Sequence, residues 1–278
     1  MNTDRSKLEQ LVYLEHWGLD ELPFENLPDP RFFFPSAEHH EALLRLLYAV
    51  KSRKGAAMLT GEIGCGKTIL SRTLIQDLCP DQYEVGLIAN PSLSPVEFLK
   101  EILYQLGAEI QSDSKLDLLH ALNSQITNSL NEGKDTVIII DEAQAINDPA
   151  TLEELRLLLN FQLNDQFLLT LLLIGQPELR EKINSIKQLE QRISVKFHLG
   201  PLKAEETQSY IRKRLEKVNC SKTIFTDDAL AAIHKASEGI PRSINNICDI
   251  SLLLGFGSKT LHIGPGIVSK AVSANKQI

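Results

Sequence analysis

Apolar positions follow two rhythms along this chain. Through the first 200 residues short apolar runs recur, bounded by turn residues. Gly55-Ala56-Ala57-Met58-Leu59-Thr60, Glu84 to Ala89, Thr136-Val137-Ile138-Ile139-Ile140 and Leu168 to Ile174 each read as a strand. Thr136–Ile140 has no polar alternation, so it is buried on both faces, as in a parallel sheet covered by helices. Ser194 to Leu199 reads as a last strand, and it alternates. Between the strands the apolar spacing lengthens to three or four, which predicts helices from Ser36 to about Lys51, over 69–75, from Ser94-Pro95-Val96-Glu97 to about Leu106, over about 114–131 and after Asp148-Pro149. Ser94 and Glu97 form a capping box with Pro at the first helical position. From Leu202 onward strands stop, and helices are predicted at about 203–218, 226–237, 241–254 and 264–274.

The change of rhythm puts a boundary near Gly200-Pro201. Ahead of the first helix, residues 12–35 are rich in Pro and aromatic residues, which fits an irregular strap better than a regular element. The expected domains are therefore a strap (1–35), an α/β domain (36–200) and a helical domain (201–278).

Composition excludes some classes. With 278 residues, 43% hydrophobic, the chain has ample core. A net charge of -7 argues against a polyanion binder as a whole. The exception is local: Arg212, Lys213, Arg214 and Lys217 lie on one predicted helix, read first as a solvated face. Cysteines 65, 79, 220 and 248 show no paired spacing, so neither a zinc site nor a disulfide frame is expected, and a reducing compartment fits. No leader is visible behind Met1–Lys7, and no apolar run nears the ~20 residues of a membrane span. The cytoplasm is the expected location.

One motif names a chemistry. Gly61-Glu62-Ile63-Gly64-Cys65-Gly66-Lys67-Thr68 spells G-x-x-x-x-G-K-[ST] between a predicted strand and a predicted helix. Its glycines let backbone N–H groups turn around phosphate oxygens, and the following helix directs its positive end at them. Lys67 can reach the β and γ phosphates of ATP, and Thr68 can ligate Mg²⁺. Cys65, at a helix N-terminus, is expected to be exposed and reactive. The strand ending in Asp141-Glu142 supplies the acids such a site needs: Asp141 for the metal, Glu142 as general base. Gln176, after the next strand, can orient the water, or simply cap the helix at Pro177. Arg192 is placed to serve an adjacent subunit, or is a surface arginine. Arg242, opening a helix after Gly239-Ile240-Pro241, can swing onto the phosphates.

These residues resemble the AAA+ ATPases: Walker A at 61–68, Walker B at 137–142, a sensor at Gln176, an arginine finger at Arg192 and a second sensor at Arg242. Tyr13–Leu19, Pro23-Phe24, Phe32–Phe34, Asp141–Gln144, Gly175–Leu179, Gln191–Ile193 and Gly239–Asn245 look like the secretion ATPases of the ExeA/GspA type. Asn90–Pro95 and the Tyr13–His16 opening lean toward MshM-type ATPases of MSHA pilus biogenesis. The resemblance implies a five-stranded parallel sheet with a helical lid, ATP hydrolysis between subunits of a ring-like homo-oligomer, and the strap around Phe24 near the adenine. It also implies pilus or secretion-system partners, with the protein cytoplasmic or peripheral to the inner membrane. ExeA-type proteins continue into a membrane span and a peptidoglycan-binding domain; this chain stops at Ile278, so no direct peptidoglycan contact is expected. Two rival readings remain: a transposition-regulator-type ATPase that binds DNA, which the acidic charge disfavours, and a nucleotide-dependent scaffold with negligible turnover.

Overall fold

A computed structural model of the protein describes residues 12–275. Expectations resting on 1–11 and 276–278, the missing leader and the first part of the strap among them, lie outside the described residues. Two compact units emerge. One is Ala37–Ile63 with Lys67–Gly200; the other joins 12–36, Gly64–Gly66 and 201–275.

The first unit runs α1 (Ala37–Lys51), β1 (Ala56–Gly61), α2 (Lys67–Asp77), β2 (Tyr83–Ile88), α3 (Pro95–Gln105), α4 (Lys115–Asn131), β3 (Asp135–Ile140), α5 (Pro149–Leu158), β4 (Leu169–Gly175), α6 (Glu178–Asn184), α7 (Lys187–Glu190) and β5 (Ile193–Leu199). Five strands form one sheet in the order β2-β3-β4-β1-β5, every pair parallel. Burial follows that order. All residues of β1 and β4 are buried, as are the apolar residues of β3, because these strands are central and covered on both faces. The edge strand β5 alternates between buried ends and an exposed or half-exposed middle, which its sequence pattern anticipated. Phe98, Leu99, Ile102 and Leu118 from α3 and α4 pack with Ile138, Ile140, Leu171 and Leu173 in one core. The capping box forms: the Ser94 N–H donates to Glu97 Oε2 at 2.9 Å, and the Glu97 N–H to Ser94 Oγ at 3.5 Å. A lone antiparallel bridge, Gln162 to Phe167, was not foreseen.

The second unit contains α8 (Ala204–Lys217), α9 (Asp227–Ser237), α10 (Pro241–Gly257) and α11 (Pro265–Asn275). The strap is not wholly irregular: residues 12–17 are helical and Pro30–Phe32 form a 3-10 turn. It belongs to this unit because its aromatic side chains complete the helical core. Trp17 is 1% exposed, and Tyr13, Phe24 and Phe32 are buried with Tyr210, Ile211, Phe225 and Ile244. Gly255 makes room for Trp17, since a Cβ there would stand 2.9 Å from the indole.

Arg214 corrects the reading of α8 as a basic face. Its side chain is 5% exposed. The guanidinium donates to the Pro23 carbonyl at 2.6 Å, the Glu25 carbonyl at 3.0 Å and the Tyr210 hydroxyl at 2.6 Å, and its carbon lies 4.6 Å from the Phe32 ring centre. A planar fork reaches three widely spread acceptors while lying flat against an aromatic ring, a setting that a compact ammonium on a flexible stem does not reproduce. Burial pushes the Tyr210 phenol up. Arg214→Ala is expected to leave the Pro23 and Glu25 carbonyls and the Tyr210 hydroxyl without this donor and cost about 3 kcal/mol, lowering the calorimetric melting point by roughly 6–12 °C. Arg214→Lys should recover little of it, whereas a melting point within 2 °C of wild type would show that the strap is held by its aromatic residues alone. Among the described residues, no helix is long and apolar enough to cross a membrane.

Candidate active site

The strand order builds the site. β4 lies between β1 and β3, so the loops leaving those three strands come out side by side at the carboxyl end of a parallel sheet. β1 delivers the turn Gly61–Thr68, β3 delivers Asp141 and Glu142, and β4 delivers Gln176. Within the turn, Gly64 and Gly66 take φ of 82° and 100°, values open to glycine and strained for other residues. Gly61 is needed for space: a Cβ there would meet the Leu199 carbonyl at 2.6 Å. Lys67 is buried, and its ammonium donates to the carbonyls of Gly61 (2.7 Å) and Glu62 (2.9 Å), closing the turn on itself.

Thr68 Oγ1, in the first turn of α2, donates to Asp141 Oδ2 at 2.8 Å. The Glu142 N–H donates to the other oxygen of Asp141 at 2.9 Å. Burial raises the Asp141 carboxyl above its ordinary pKa, with the Thr68 and Glu142 donors pulling the other way. The Thr68 hydroxyl and this carboxylate are a pair of hard oxygens suited to Mg²⁺. Among the described residues no group of three or more His, Cys, Asp or Glu is gathered for a metal. Glu142 adopts a left-handed backbone, φ 51° and ψ 37°. Its Oε2 accepts from Gln176 Nε2 at 3.2 Å, so the residue read as a sensor does stand beside the residue read as the base.

Residues 50–183 match the model of the AAA domain family. The fold agrees: the structure of the Aeropyrum pernix ORC2 protein superposes with a TM-score of 0.68 over 91% of this chain and 71% of that one, at 21% identity. The chain carries an AAA domain in an AAA+ P-loop fold. A second AAA+ likeness is Drosophila ORC, solved bound to DNA, with a TM-score of 0.65 at 18% identity over 85% of this chain and 59% of that one. In sequence the chain is 40% identical to General secretion pathway protein A of Aeromonas hydrophila over 94% of its own length. It spans about half of that relative, 48%.

The remaining predicted residues fall in different surroundings. Arg242 is exposed in the first turn of α10, and its N–H donates to the Gly64 carbonyl at 3.2 Å. Arg192 follows α7 and is half-buried; its Nη1 is buried with no hydrogen-bond partner among the described residues. Two expectations are corrected. Cys65 is 0% exposed, so its thiol is enclosed rather than presented for reaction. Phe24 is 2% exposed, its ring edge-on to Phe225 at 6.1 Å between centres; it is spent in the helical core and offers no face to a base. One residue of the site, quoted in the sequence only within the Asp141–Gln144 resemblance, was given no role there. Gln144 donates through Nε2 to Glu142 Oε2 and accepts the Gln176 N–H at 2.9 Å. A polar residue four places past a strand gives no local sign of such a role.

Proposed function

We propose that the protein binds and hydrolyses ATP and that hydrolysis drives assembly within a secretion or type IV-pilus-like system. The observation that supports this best is the convergence of Lys67, Thr68, Asp141 and Glu142, from two strands separated only by β4, on the carboxyl end of the sheet. The backbone amides of the turn and the Lys67 ammonium grip the triphosphate. Glu142 accepts a proton from the attacking water, and Gln176 helps hold it. Thr68 and Asp141 would hold Mg²⁺, which when bound would supply charge neutralisation for the triphosphate.

Arg192 is proposed to act on the nucleotide of an adjacent subunit. A buried unpaired N–H costs about 1–3 kcal/mol, so this side chain gains by turning to an anion supplied from outside the chain. Arg192→Ala and Lys67→Ala proteins, each inactive, should partly restore phosphate release when mixed, because a mixed assembly holds some intact shared sites. No restoration at any ratio would contradict sharing. The secretion assignment leans on the 40% identity to General secretion pathway protein A, and the narrower MSHA pilus assignment on Asn90–Pro95 and Tyr13–His16.

DNA binding is the reading we set second. It relied on a basic α8, yet Arg214 is buried and Arg212 is paired with Asp227 at 2.9 Å, which leaves Lys213 and Lys217. ATP turnover measured with and without duplex DNA decides: unchanged turnover supports the assembly reading, and a DNA-stimulated, steeply salt-sensitive rate supports the other.

A further inference from the structure

We infer that Gln144 is a positioning residue for hydrolysis: its side-chain amide clasps the Glu142 carboxylate to the end of β4 and sets the direction in which that carboxylate meets a proton. This rests on the reading of Glu142 as the base.

The backbone fixes which way the Gln144 amide faces. The Gln176 N–H can only donate, so the Gln144 atom 2.9 Å from it is the carbonyl oxygen. The NH₂ group is thereby turned to Glu142 Oε2. Gln176 Nε2 reaches the same oxygen at 3.2 Å. Two amide donors on one oxygen restrain the terminal torsion of Glu142, which is otherwise broad and nearly unrestricted.

Gln144 is itself held. The 3-10 turn Ala143–Ala145, closed by the Ala145 N–H on the Glu142 carbonyl at 2.8 Å, folds Gln144 back over its neighbour. From α6, the Lys182 ammonium donates to the Gln144 carbonyl, to the Ile146 carbonyl at 2.9 Å and to Asn147 Oδ1 at 2.8 Å. Gly175 leaves the space: a Cβ there would stand 2.6 Å from Gln144 Oε1. A solvated glutamine after a strand needs none of this. Because no part of the clasp belongs to the phosphate turn, its loss should act on turnover and spare binding.

Gln144→Ala and Gln144→Glu test this, each in the wild-type and Glu142→Gln backgrounds, with phosphate release and binding of fluorescently labelled ATP as readouts. Gln144→Glu keeps the side chain's volume and its acceptor for the Gln176 N–H, which preserves the test if Gln144→Ala misfolds. Both should lower kcat by roughly 10–100-fold, with KM and the nucleotide Kd within about twofold of wild type. Gln144→Glu should be the more damaging, because it sets a like charge against Glu142. In the Glu142→Gln background, adding Gln144→Ala should change residual turnover by less than about twofold, since the residue it acts through is gone. A kcat near wild type for both variants, beside an inactive Glu142→Gln, would overturn the clasp alone. So would a full, additive loss in the Glu142→Gln background. Wild-type turnover by Glu142→Gln would overturn the hydrolysis reading and the clasp with it.

Discussion

Glu142→Gln is expected to bind ATP as wild type does and to release phosphate about 10²–10⁴-fold more slowly, the usual contribution of a positioned general base. The substitution is nearly isosteric. It removes the group that takes the proton and keeps the carbonyl oxygen that Gln144 and Gln176 address at 3.2 Å or less. The left-handed backbone at this position is borne by Glu already, so Gln adds little strain. The two sides of the result are separable: turnover by phosphate release, affinity by displacement of a labelled nucleotide. A variant that lost both would point to collapse of the Asp141–Gln144 turn.

Lys67→Ala should fail one step earlier. Its ammonium is the cation of the turn, and the carbonyls of Gly61 and Glu62 hold it in place at 2.7 and 2.9 Å. Without it the turn loses the two bonds that shape its entry and, on the proposed reading, the charge that would meet the β and γ phosphates. ATP affinity is expected to fall at least about 100-fold, close to 2.7 kcal/mol, with no turnover at millimolar nucleotide. Lys67→Arg is expected to be nearly as poor. The side chain is buried at 6% exposure, and a planar fork does not fit the space of a compact ammonium. Retention of wild-type affinity by Lys67→Ala would place the triphosphate elsewhere.

Much of this architecture is written in short-range pattern. Val137–Ile140 is apolar without relief, and it is a central strand. Ser194–Leu199 alternates, and it is an edge. The phosphate turn is legible because its glycines and Lys67 are adjacent in sequence, and Ser94 and Glu97 cap a helix through bonds three residues long. What was hidden depends on distant partners. Arg214 reads as one charge among four on a helix; it is buried because carbonyls 191 and 189 residues earlier require a donor. Gln144 acquires its role from a backbone N–H 32 residues later. Phe24 and Cys65 were assigned by position in a motif, and their burial is a property of the packed unit that no local pattern records.

The most direct test is to load wild-type and Glu142→Gln protein with Mg²⁺ and ATP, remove unbound nucleotide, and identify what remains bound after an hour. ADP is expected on the wild type and intact ATP on Glu142→Gln. ADP on both, in equal amounts, would show that some group other than Glu142 prepares the water.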